Sequence, residues 1–343
     1  MARVDLKGLL PEELAELLQS LGEPAYRAGQ IFRWLHHAGV SDFSAMTDLS
    51  QELRARLAAA SRITELAVRA HEISRADGTH KFLFGLADGA AVETVVIPHP
   101  TRTTVCVSTQ VGCAFGCLFC ASGAEGFVRN LTAAEIVDQV IQAGRHTRQR
   151  LSNAVFMGMG EPLANYDNTR QAVRLLHEPA GLGLSYRRIS ISTCGLPAAI
   201  RKLADEGPAV HLALSLHAPD DELRNRLMPV NRQHPMAELL AAGHYYVRQT
   251  GRKMSLEYAL LAEVNDSPAQ ARKLAGLARG WRCMVNLIPL NPTPAEVAAS
   301  PSPRVSEFVR TLRELGVEVA VRRSYGADIR AACGQLRAGV GDK

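Results

Sequence analysis

The sequence contains no apolar stretch that could cross a membrane, because no run approaches the roughly 18 consecutive apolar residues that a spanning helix requires. It has no low-complexity tract and no internal repeat of roughly 20–50 residues. Aromatic residues are few, at 5%, while apolar residues make up 47% and charged residues 21% of the 343 positions. These proportions are those of a globular protein and exclude wholesale disorder and a collagen-like chain. No apolar signal segment precedes the first predicted helix, so we expect a cytoplasmic protein that does not associate with membranes.

Lysine is scarce, since most of the 39 basic residues are arginine, and they outnumber 34 acidic residues to give a net charge of +5. This surplus permits an anionic partner such as RNA, for which arginine is the better side chain. A GC-rich genome, which favours arginine codons, explains the excess equally well. The seven cysteines are an odd number, and three of them lie within Cys113–Cys120. In an intracellular chain this pattern indicates a metal site or catalysis rather than a disulfide framework.

The pattern of apolar and polar residues changes twice in the first third of the chain. Apolar residues recur with helical spacing between about residues 11 and 60, and short alternating runs follow between about residues 64 and 99, with Asp-Gly turns at 77–78 and 88–89. We therefore predict a small helical accessory domain over residues 1–75 and a β-rich connecting segment over residues 76–104.

From residue 105 onward, β-branched apolar runs alternate with helical stretches. This rhythm predicts βαβ units, a parallel sheet and right-handed crossovers. Six or seven units fit into residues 105–343, so we predict an α/β fold with a complete or partial barrel, in which the reactive residues lie at the carboxyl ends of the strands. The predicted strands are Val105–Thr109, Ala154–Met159, Ile189–Thr193, His211–Leu216, Met254–Leu260, Met284–Leu290 and Val317–Arg322.

The strongest chemical signal is the C-x₃-C-x₂-C spacing of Cys113, Cys117 and Cys120, which follows the first predicted strand of the barrel. Iron–sulfur clusters are held by cysteine thiolates, commonly four. Three closely spaced thiolates could bind three irons of a [4Fe–4S] cluster and leave the fourth open, which is the arrangement of a catalytic metal site. The alternative is a structural zinc site that takes its fourth ligand from elsewhere in the chain.

This cysteine motif, with phenylalanine before its last cysteine, resembles the signature of the radical S-adenosylmethionine (SAM) superfamily. The resemblance is greatest to the RNA methyltransferases of the RlmN and Cfr family, and it runs from about residue 80 to the C-terminus. Further segments match in order, and together they are far more specific than any one alone. These segments are Cys106–Cys113, Phe156–Pro162, Leu214–Pro219, Asn286–Pro292 and Ala332–Leu336.

The resemblance implies a partial (β/α)₆ barrel, a [4Fe–4S] cluster held by the three cysteines, and SAM as both methyl donor and radical source. It implies methylation of adenosine at C2 in 23S ribosomal RNA, with transfer RNA as a further substrate. A 5′-deoxyadenosyl radical would take hydrogen from a methyl group carried by Cys333, which lies in a C-terminal catalytic loop, and the resulting methylene radical would add to the base. Cys106 would resolve the adduct and leave a transient disulfide with Cys333, and Glu93 would accept a proton.

The family's SAM-contacting positions fall at the predicted strand ends of this sequence. A glycine there lets the backbone approach a ligand, and a carboxylate can meet the SAM ammonium group. The matched residues are Gly160, Glu161, Ser192, Ser215, Leu216, His217 and Asn291. The family further implies an electron donor such as flavodoxin or ferredoxin and a monomeric enzyme.

Several alternatives remain open on the sequence alone. Cfr-type methylation at C8, which confers antibiotic resistance, uses nearly the same residues, although proline after Glu161 is more typical of RlmN. A radical SAM enzyme acting on protein or small molecules and a zinc-stapled RNA-binding protein are two others. Cys194 and Cys283 match no catalytic position, so we expect them to be inert. Arg330 departs from the family pattern, which often has an acidic residue three positions before the catalytic cysteine.

Overall fold

A computed structural model describes residues 3–291 and 298–336 of the chain. Its centre is a ten-stranded mixed sheet with the order β14-β13-β12-β11-β10-β9-β6-β5-β4-β3. The strands of this sheet are β3 (Ala67–Ile73), β4 (His80–Gly85), β5 (Ala91–His99), β6 (Arg102–Cys106), β9 (Asn153–Phe156), β10 (Ile189–Thr193), β11 (His211–Ser215), β12 (Met254–Leu260), β13 (Cys283–Pro289) and β14 (Val319–Val321). Two short ribbons, β1 (Val4–Asp5) with β2 (Ser61–Arg62) and β7 (Gln110–Gly112) with β8 (Phe127–Asn130), lie outside it.

The sheet has a parallel part and an antiparallel part. Strands β6 and β9 to β14 pair in parallel in chain order, whereas β3 to β6 form an antiparallel meander. Because β14 and β3 are the two edges, the parallel strands form an open barrel, as predicted. The Asp-Gly turn at 88–89 joins β4 to β5, and that at 77–78 precedes β4, which confirms the predicted hairpins.

Helices connect the parallel strands and cover the sheet. They are α1 (Pro11–Ser20), α2 (Arg27–Phe32), α3 (Gln51–Ala60), α4 (Ala121–Ala124), α5 (Ala133–Thr147), α6 (Tyr166–His177), α7 (Pro197–Glu206), α8 (Asp221–Leu227), α9 (Met236–Thr250), α10 (Pro268–Ala278) and α11 (Ser302–Glu314). In the described ranges, none of them combines the length and the apolar character needed to span a bilayer.

Local sequence explains where these elements begin and why they pack as they do. Helix α5 begins with a reciprocal capping box, in which Thr132 Oγ1 accepts from the Glu135 N–H and Glu135 Oε2 accepts from the Thr132 N–H. Helix α7 has Pro197 at its first position, where a missing N–H costs nothing. All seven residues of β12 are buried, as expected for a parallel strand covered on both faces.

The N-terminal helices pack against the barrel through a buried ion pair. Lys7 Nζ lies 2.5 Å from Asp138 Oδ1 on α5, and both side chains are fully buried. Asp138 Oδ2 also accepts from the Leu66 N–H at 2.7 Å. Removing one partner would leave an uncompensated buried charge, so this pair strongly couples the N-terminal region to α5.

Most predicted strands agree with the structure to within a few residues, and two details differ. Strand β3 pairs with β4 and therefore belongs to the main sheet, although we placed residues 67–73 in the accessory domain. Strand β9 ends at Phe156, earlier than the predicted end at Met159, so Gly160 and Glu161 lie in the loop after the strand. Pro292, the last residue of one matched segment, lies outside the described residues.

Candidate active site

A cavity opens at the carboxyl ends of the parallel strands, where the barrel rule predicts reactive residues. We call it the first cavity. It brings together all but one of the predicted metal-binding and cofactor-binding residues, together with Cys333. These residues are Cys113, Cys117, Cys120, Gly160, Glu161, Ser192, Ser215, His217, Asn291 and Cys333.

The cysteine motif forms a loop between β7 and α4, at the entrance to this cavity. The Cys113 N–H donates to the Gly126 carbonyl at 2.9 Å, and the Cys120 N–H donates to the Cys117 carbonyl at 3.1 Å, which fixes both ends of the loop. Gly112, just before the loop, has φ +71°, and an added Cβ would lie 1.7 Å from the Gly126 carbonyl oxygen. The tight approach of these two backbone segments therefore requires glycine.

The electrostatics of the loop fit a site that binds metal through thiolates. Burial raises the pKa of Cys113 to about 11. Burial also raises the pKa of Cys117, and the neighbouring thiols of Cys120 and Cys113 add to that shift. The three sulfurs are thus close enough to interact, and loading a metal group onto them must displace protons.

The donor set suits a polynuclear cluster better than a single ion. Among residues 3–291 and 298–336, no three His, Cys, Asp or Glu side chains converge closely enough to hold one metal ion. In an iron–sulfur cluster each cysteine binds a different iron, so its sulfurs lie farther apart than the ligands of one zinc ion. The three thiols line one cavity, which fits a cluster of this kind.

The loop after β9 forms one wall of the first cavity. Gly160 has φ +97°, and a Cβ there would lie 2.5 Å from Gln110 Cβ, so only glycine fits. Glu161 is buried, and its Oε2 accepts from the Cys194 N–H at 2.6 Å while its Oε1 accepts from the Leu163 N–H at 3.0 Å. Burial raises the pKa of Glu161, against the effect of these hydrogen bonds. The carboxylate therefore ties the β9 loop to the end of β10.

Three predicted residues meet on neighbouring strand ends. Ser192 Oγ on β10 and Ser215 Oγ on β11 are 3.3 Å apart. His217 has φ +56°, its Nδ1 accepts from the Ala259 N–H at 2.9 Å, and its ring lies 4.6 Å from that of Phe119 in the cysteine loop. Burial, and secondly the charge of Arg224, lower the pKa of His217 to about 3, so the ring is neutral. A neutral imidazole with one accepting nitrogen leaves Nε2–H free to face a ligand.

Leu216 is the predicted cofactor residue that does not line the cavity. Its side chain is fully buried in the main apolar core, and its N–H donates to the Glu257 carbonyl at 3.0 Å. Successive side chains of an extended segment point to opposite faces, so a Ser215 side chain in the cavity places Leu216 on the other side.

A second cavity adjoins the first and contains both predicted catalytic cysteines. Cys106 lies at the end of β6 and Cys333 in the loop that follows β14, and both line it. Burial raises the pKa of Cys106 to about 12. Cys333 also lines the first cavity, so it is the one cysteine of the described chain that faces both. All seven cysteines are unpaired in the structure.

The loop carrying Cys333 is held from both sides. The Asn291 side-chain amide donates to the Cys333 carbonyl at 3.1 Å, and the Ala121 N–H donates to the Gly334 carbonyl at 2.8 Å. On the other side, Asp77 Oδ2 accepts from the Gly326 N–H at 2.9 Å. The cysteine loop and the turn before β4 therefore fix the place of a residue that is distant from both in sequence.

The sequence did not predict a specific role for two charged residues that lie at the site. Arg322 lines both cavities, and its Nη1 lies 3.6 Å from Met157 Sδ. The charges of Cys333, Glu257 and Cys106 all raise its pKa, that of Cys333 most. Glu257 is buried in β12, where it accepts from Ser255 Oγ at 2.7 Å and Asn286 Nδ2 at 2.8 Å. A carboxylate inside an apolar parallel strand was the signal in the sequence that could have revealed it.

Glu93, the predicted proton acceptor, lies beside the second cavity without lining it. It is 7% exposed, and its Oε1 lies 3.4 Å from Lys81 Nζ. The next residues on the same face of β5, Val95 and Ile97, do line the cavity. Lys81 also pairs with Glu72 at 3.0 Å, so the ammonium group connects Glu93 to an exposed carboxylate.

Three further residues singled out from the sequence are Cys194, Cys283 and Arg330. Cys194, which we expected to be inert, forms part of the first cavity wall, and burial raises its pKa. Cys283 lines neither cavity, and its Sγ donates to the Ala278 carbonyl at 3.4 Å. Arg330 is exposed with φ +53° at the end of a short turn before Cys333.

Comparison with family models identifies two regions of the chain. Residues 107–275 match the model of the radical SAM superfamily. Residues 4–63 match the model described as the ribosomal RNA large subunit methyltransferase N-terminal domain. The cysteine loop and both serines of the first cavity fall within the first match.

Individual proteins match over nearly the whole chain. The dual-specificity RNA methyltransferase RlmN of Syntrophobacter fumaroxidans is 47% identical over 344 residues, covering 99% of this chain and 100% of that protein. The probable dual-specificity RNA methyltransferase RlmN of Symbiobacterium thermophilum is 49% identical, covering 98% of this chain and 92% of that protein. The crystal structure of a radical SAM methyltransferase from Sphaerobacter thermophilus superposes with a TM-score of 0.94 at 50% identity, covering 98% of this chain and 100% of that one.

Proposed function

The chain belongs to the RlmN family of radical SAM RNA methyltransferases, and from this we propose that it methylates C2 of adenosine in 23S ribosomal RNA and in transfer RNA, using Cys333 as the methyl carrier. Enzymes of this superfamily use a [4Fe–4S] cluster with cysteine ligands together with SAM. An electron-poor ring carbon between two nitrogens cannot attack a methyl group as a nucleophile, which is why radical chemistry is needed. The protein's task is to position the reactants and contain the intermediates.

The observation that supports this proposal most directly is the position of Cys333 between the two cavities. The first cavity contains the cysteine loop and the residues assigned to SAM, and the second contains Cys106. A methyl group on the Cys333 sulfur would therefore face the SAM side when it is loaded and activated, and the Cys106 side when it meets the base.

In the first cavity, Cys113, Cys117 and Cys120 would hold the cluster and leave one iron open for SAM. When bound, the cluster supplies one electron that cleaves SAM to a 5′-deoxyadenosyl radical. The cavity residues orient SAM: Gly160 permits close backbone approach, Ser192 and Ser215 offer adjacent hydroxyls, and the neutral ring of His217 offers an N–H. Glu161 keeps this wall in place through the Cys194 and Leu163 amides.

In the second cavity, Cys333 and Cys106 act in sequence. Cys333 accepts a methyl group from one SAM, loses a hydrogen atom from that methyl group, and forms a carbon–carbon bond to adenine C2. Before resolution, the adduct loses the C2 proton and its unpaired electron, which passes to a one-electron acceptor such as the oxidised form of the electron donor. Cys106, as a thiolate, then forms a bond to the Cys333 sulfur while the bond between that sulfur and the transferred carbon breaks, and that carbon takes up a proton to become the methyl group. The resulting disulfide is reduced by a cellular thiol or dithiol before the next turnover.

We assign Glu93 as the group that accepts the proton leaving the base adduct. Its Oε1 lies 3.4 Å from Lys81 Nζ, which holds the carboxylate in place. Its place on β5 beside Val95 and Ile97 puts it along the same wall as the second cavity.

The target adenosine must leave its stack to reach Cys333, because C2 is inaccessible inside a helix. Arg323 and Tyr325 line the second cavity, and the Arg323 guanidinium lies 5.5 Å from the centre of the Tyr325 ring. Such a pair suits stacking against an extruded base. We further propose that the accessory domain ends before β3, which belongs to the main sheet, that residues 76–104 connect it to the core and that the core begins at residue 105. We expect a monomer that takes electrons from a flavodoxin or ferredoxin.

The test uses protein purified and reconstituted without oxygen, with ribosomal and transfer RNA from a host that lacks the enzyme. After reaction, the RNA is digested and its nucleosides are separated by mass spectrometry. We expect 2-methyladenosine from both RNAs. A dominant 8-methyladenosine product would instead establish Cfr-type chemistry, and absence of any methylated adenosine despite SAM cleavage would contradict an RNA substrate.

A further inference from the structure

Arg224, on the short helix α8, lies directly behind the wall of the first cavity. Its side chain is fully buried. The guanidinium donates to the carbonyls of Cys194 at 2.6 Å, Ser215 at 3.1 Å and Leu216 at 3.2 Å, and to Oδ1 of Asn231 at 2.8 Å. Two of these residues, Cys194 and Ser215, line the first cavity, so the cation is one residue layer away from it.

The guanidinium of Arg224 has hydrogen-bond acceptors, but no neighbouring negative charge among the described residues balances its positive charge. All four acceptors are neutral oxygens, and no carboxylate in the described part of the chain forms an ion pair with it. Asp221, the acidic residue that acts on it from a distance, is exposed to solvent. Arginine does not lose its proton in proteins, so the buried positive charge persists. A buried charge without a counter-charge is strongly disfavoured, which indicates that an anion occupies the neighbouring space in the working protein.

The missing negative charge can come from the cysteine loop beside Arg224. Cys117, a member of that loop, packs against the same apolar cluster as Cys194, whose carbonyl accepts from Arg224. The loop packs onto α8 itself, since the Leu118 N–H donates to the Leu227 carbonyl at 3.0 Å and Cys117 contacts the apolar cluster around Leu227. Cysteines that bind an iron–sulfur cluster do so as thiolates, so loading the loop creates the missing negative charge beside Arg224.

We propose that Arg224 is the buried counter-charge of the cluster site and makes one-electron reduction of the cluster easier. One electron from the donor adds one negative charge to the cluster, and the donor is oxidised by one electron. A fixed cation close by in a medium of low dielectric constant stabilises the more negative, reduced state more than the oxidised state. This inference depends on the cluster alone and does not require any particular RNA target.

The test compares charge-removing and charge-keeping substitutions at this position. Arg224→Gln and Arg224→Lys both lose the forked guanidinium, but only the first loses the charge. Each protein is loaded with cluster without oxygen and titrated potentiometrically, with the spin signal of the reduced cluster as the readout. For Arg224→Gln we expect reduction to be about tenfold less favourable, which is a fall of about 59 mV in the one-electron potential. Arg224→Lys should stay close to the wild-type potential.

Two further variants separate an electrostatic effect of Arg224 from a purely structural one. Arg226→Gln removes an exposed charge from the same helix and serves as the matched control, with no expected change. Asp221→Asn removes the acidic neighbour of Arg224 while keeping an oxygen for the Met236 N–H, so it should raise the potential by a smaller factor.

The outcomes distinguish the proposal from a purely structural role. If Arg224→Gln binds the wild-type amount of iron but keeps the wild-type potential, the proposal is wrong and Arg224 only organises the strand ends. If Arg224→Gln does not fold, Arg224→Met, which fills similar space without a charge, replaces it: a lowered potential supports the counter-charge, and a wild-type potential overturns it. Methylation of RNA does not enter either result.

Discussion

The two cavities that meet at Cys333 are built in different ways. The first is lined largely by the carboxyl ends of consecutive parallel strands, so each βα unit contributes a residue at nearly the same height. The second is lined by β5 of the antiparallel meander, the end of β6 and the loop after β14. Under the proposed function this difference would separate two tasks: the regular barrel would hold the cluster and SAM, and segments distant in sequence would shape the space for the base.

The most severe test of this division is Cys333→Ala, because Cys333 is the cysteine that lines both cavities. We expect RNA methylation to fall by about a thousandfold or more, since no other side chain can carry the methyl group. SAM cleavage, measured as release of 5′-deoxyadenosine, should continue because the first cavity is intact. Cys283→Ala, remote from both cavities, is the control and should methylate normally. Loss of SAM cleavage together with methylation would show that the cavities do not act separately.

Cys106→Ala should impair only the reaction step that takes place in the second cavity. The bond to the base can still form, but its resolution loses the thiol that attacks Cys333, so we expect protein to accumulate with RNA covalently attached and product release to slow by about a hundredfold or more. Denaturing gels with labelled RNA measure the adduct. A fast reaction with no retained RNA would remove Cys106 from the resolution step.

Gly160→Ala confines the damage to the first cavity. The new Cβ would lie 2.5 Å from Gln110 Cβ at a position with φ +97°, so we expect a loss of about 1–3 kcal/mol in the free energy of unfolding and weaker SAM binding. Gly276→Ala is the matched control, because an added Cβ on that helix meets nothing within 4 Å. It should stabilise the protein by up to about 1 kcal/mol. Chemical denaturation of both variants measures the difference, and equal stabilities would contradict the strained turn.

A further effect depends on the buried ring of His217 and is seen in mild acid. His217 has a pKa of about 3 in the folded protein and 6.5 when unfolded, so the unfolded chain binds the proton first as the pH falls. Its contribution to the free energy of unfolding therefore decreases by about 1.4 kcal/mol per pH unit from pH 6.5 down to about pH 3. His217→Asn keeps an acceptor for the Ala259 N–H without this titration. Cluster-free wild type should thus lose stability relative to the variant as the pH falls, and parallel stability curves would contradict the buried neutral ring.

The sequence predicted the first cavity far better than the second, for physical reasons. Cys113, Cys117 and Cys120 are close in the chain. Ser192 and Ser215 were matched through the family resemblance, and the barrel rule predicts that such strand-end residues lie together. The meeting of Cys106 and Cys333 was inferred from family resemblance, because more than two hundred residues separate them and no local pattern specifies that contact. Arg224 was not found because a buried arginine on a polar-looking helix cannot be told from a solvated one before its neighbours are known.

Whether Cys333 carries the methyl group can be measured by peptide mass spectrometry of the purified enzyme after incubation with SAM. We expect one added methyl group on the peptide containing Cys333 and none on the peptides containing Cys106, Cys194 or Cys283. A methyl group on a different cysteine, or RNA methylation by a protein whose Cys333 never becomes methylated, would contradict this expectation.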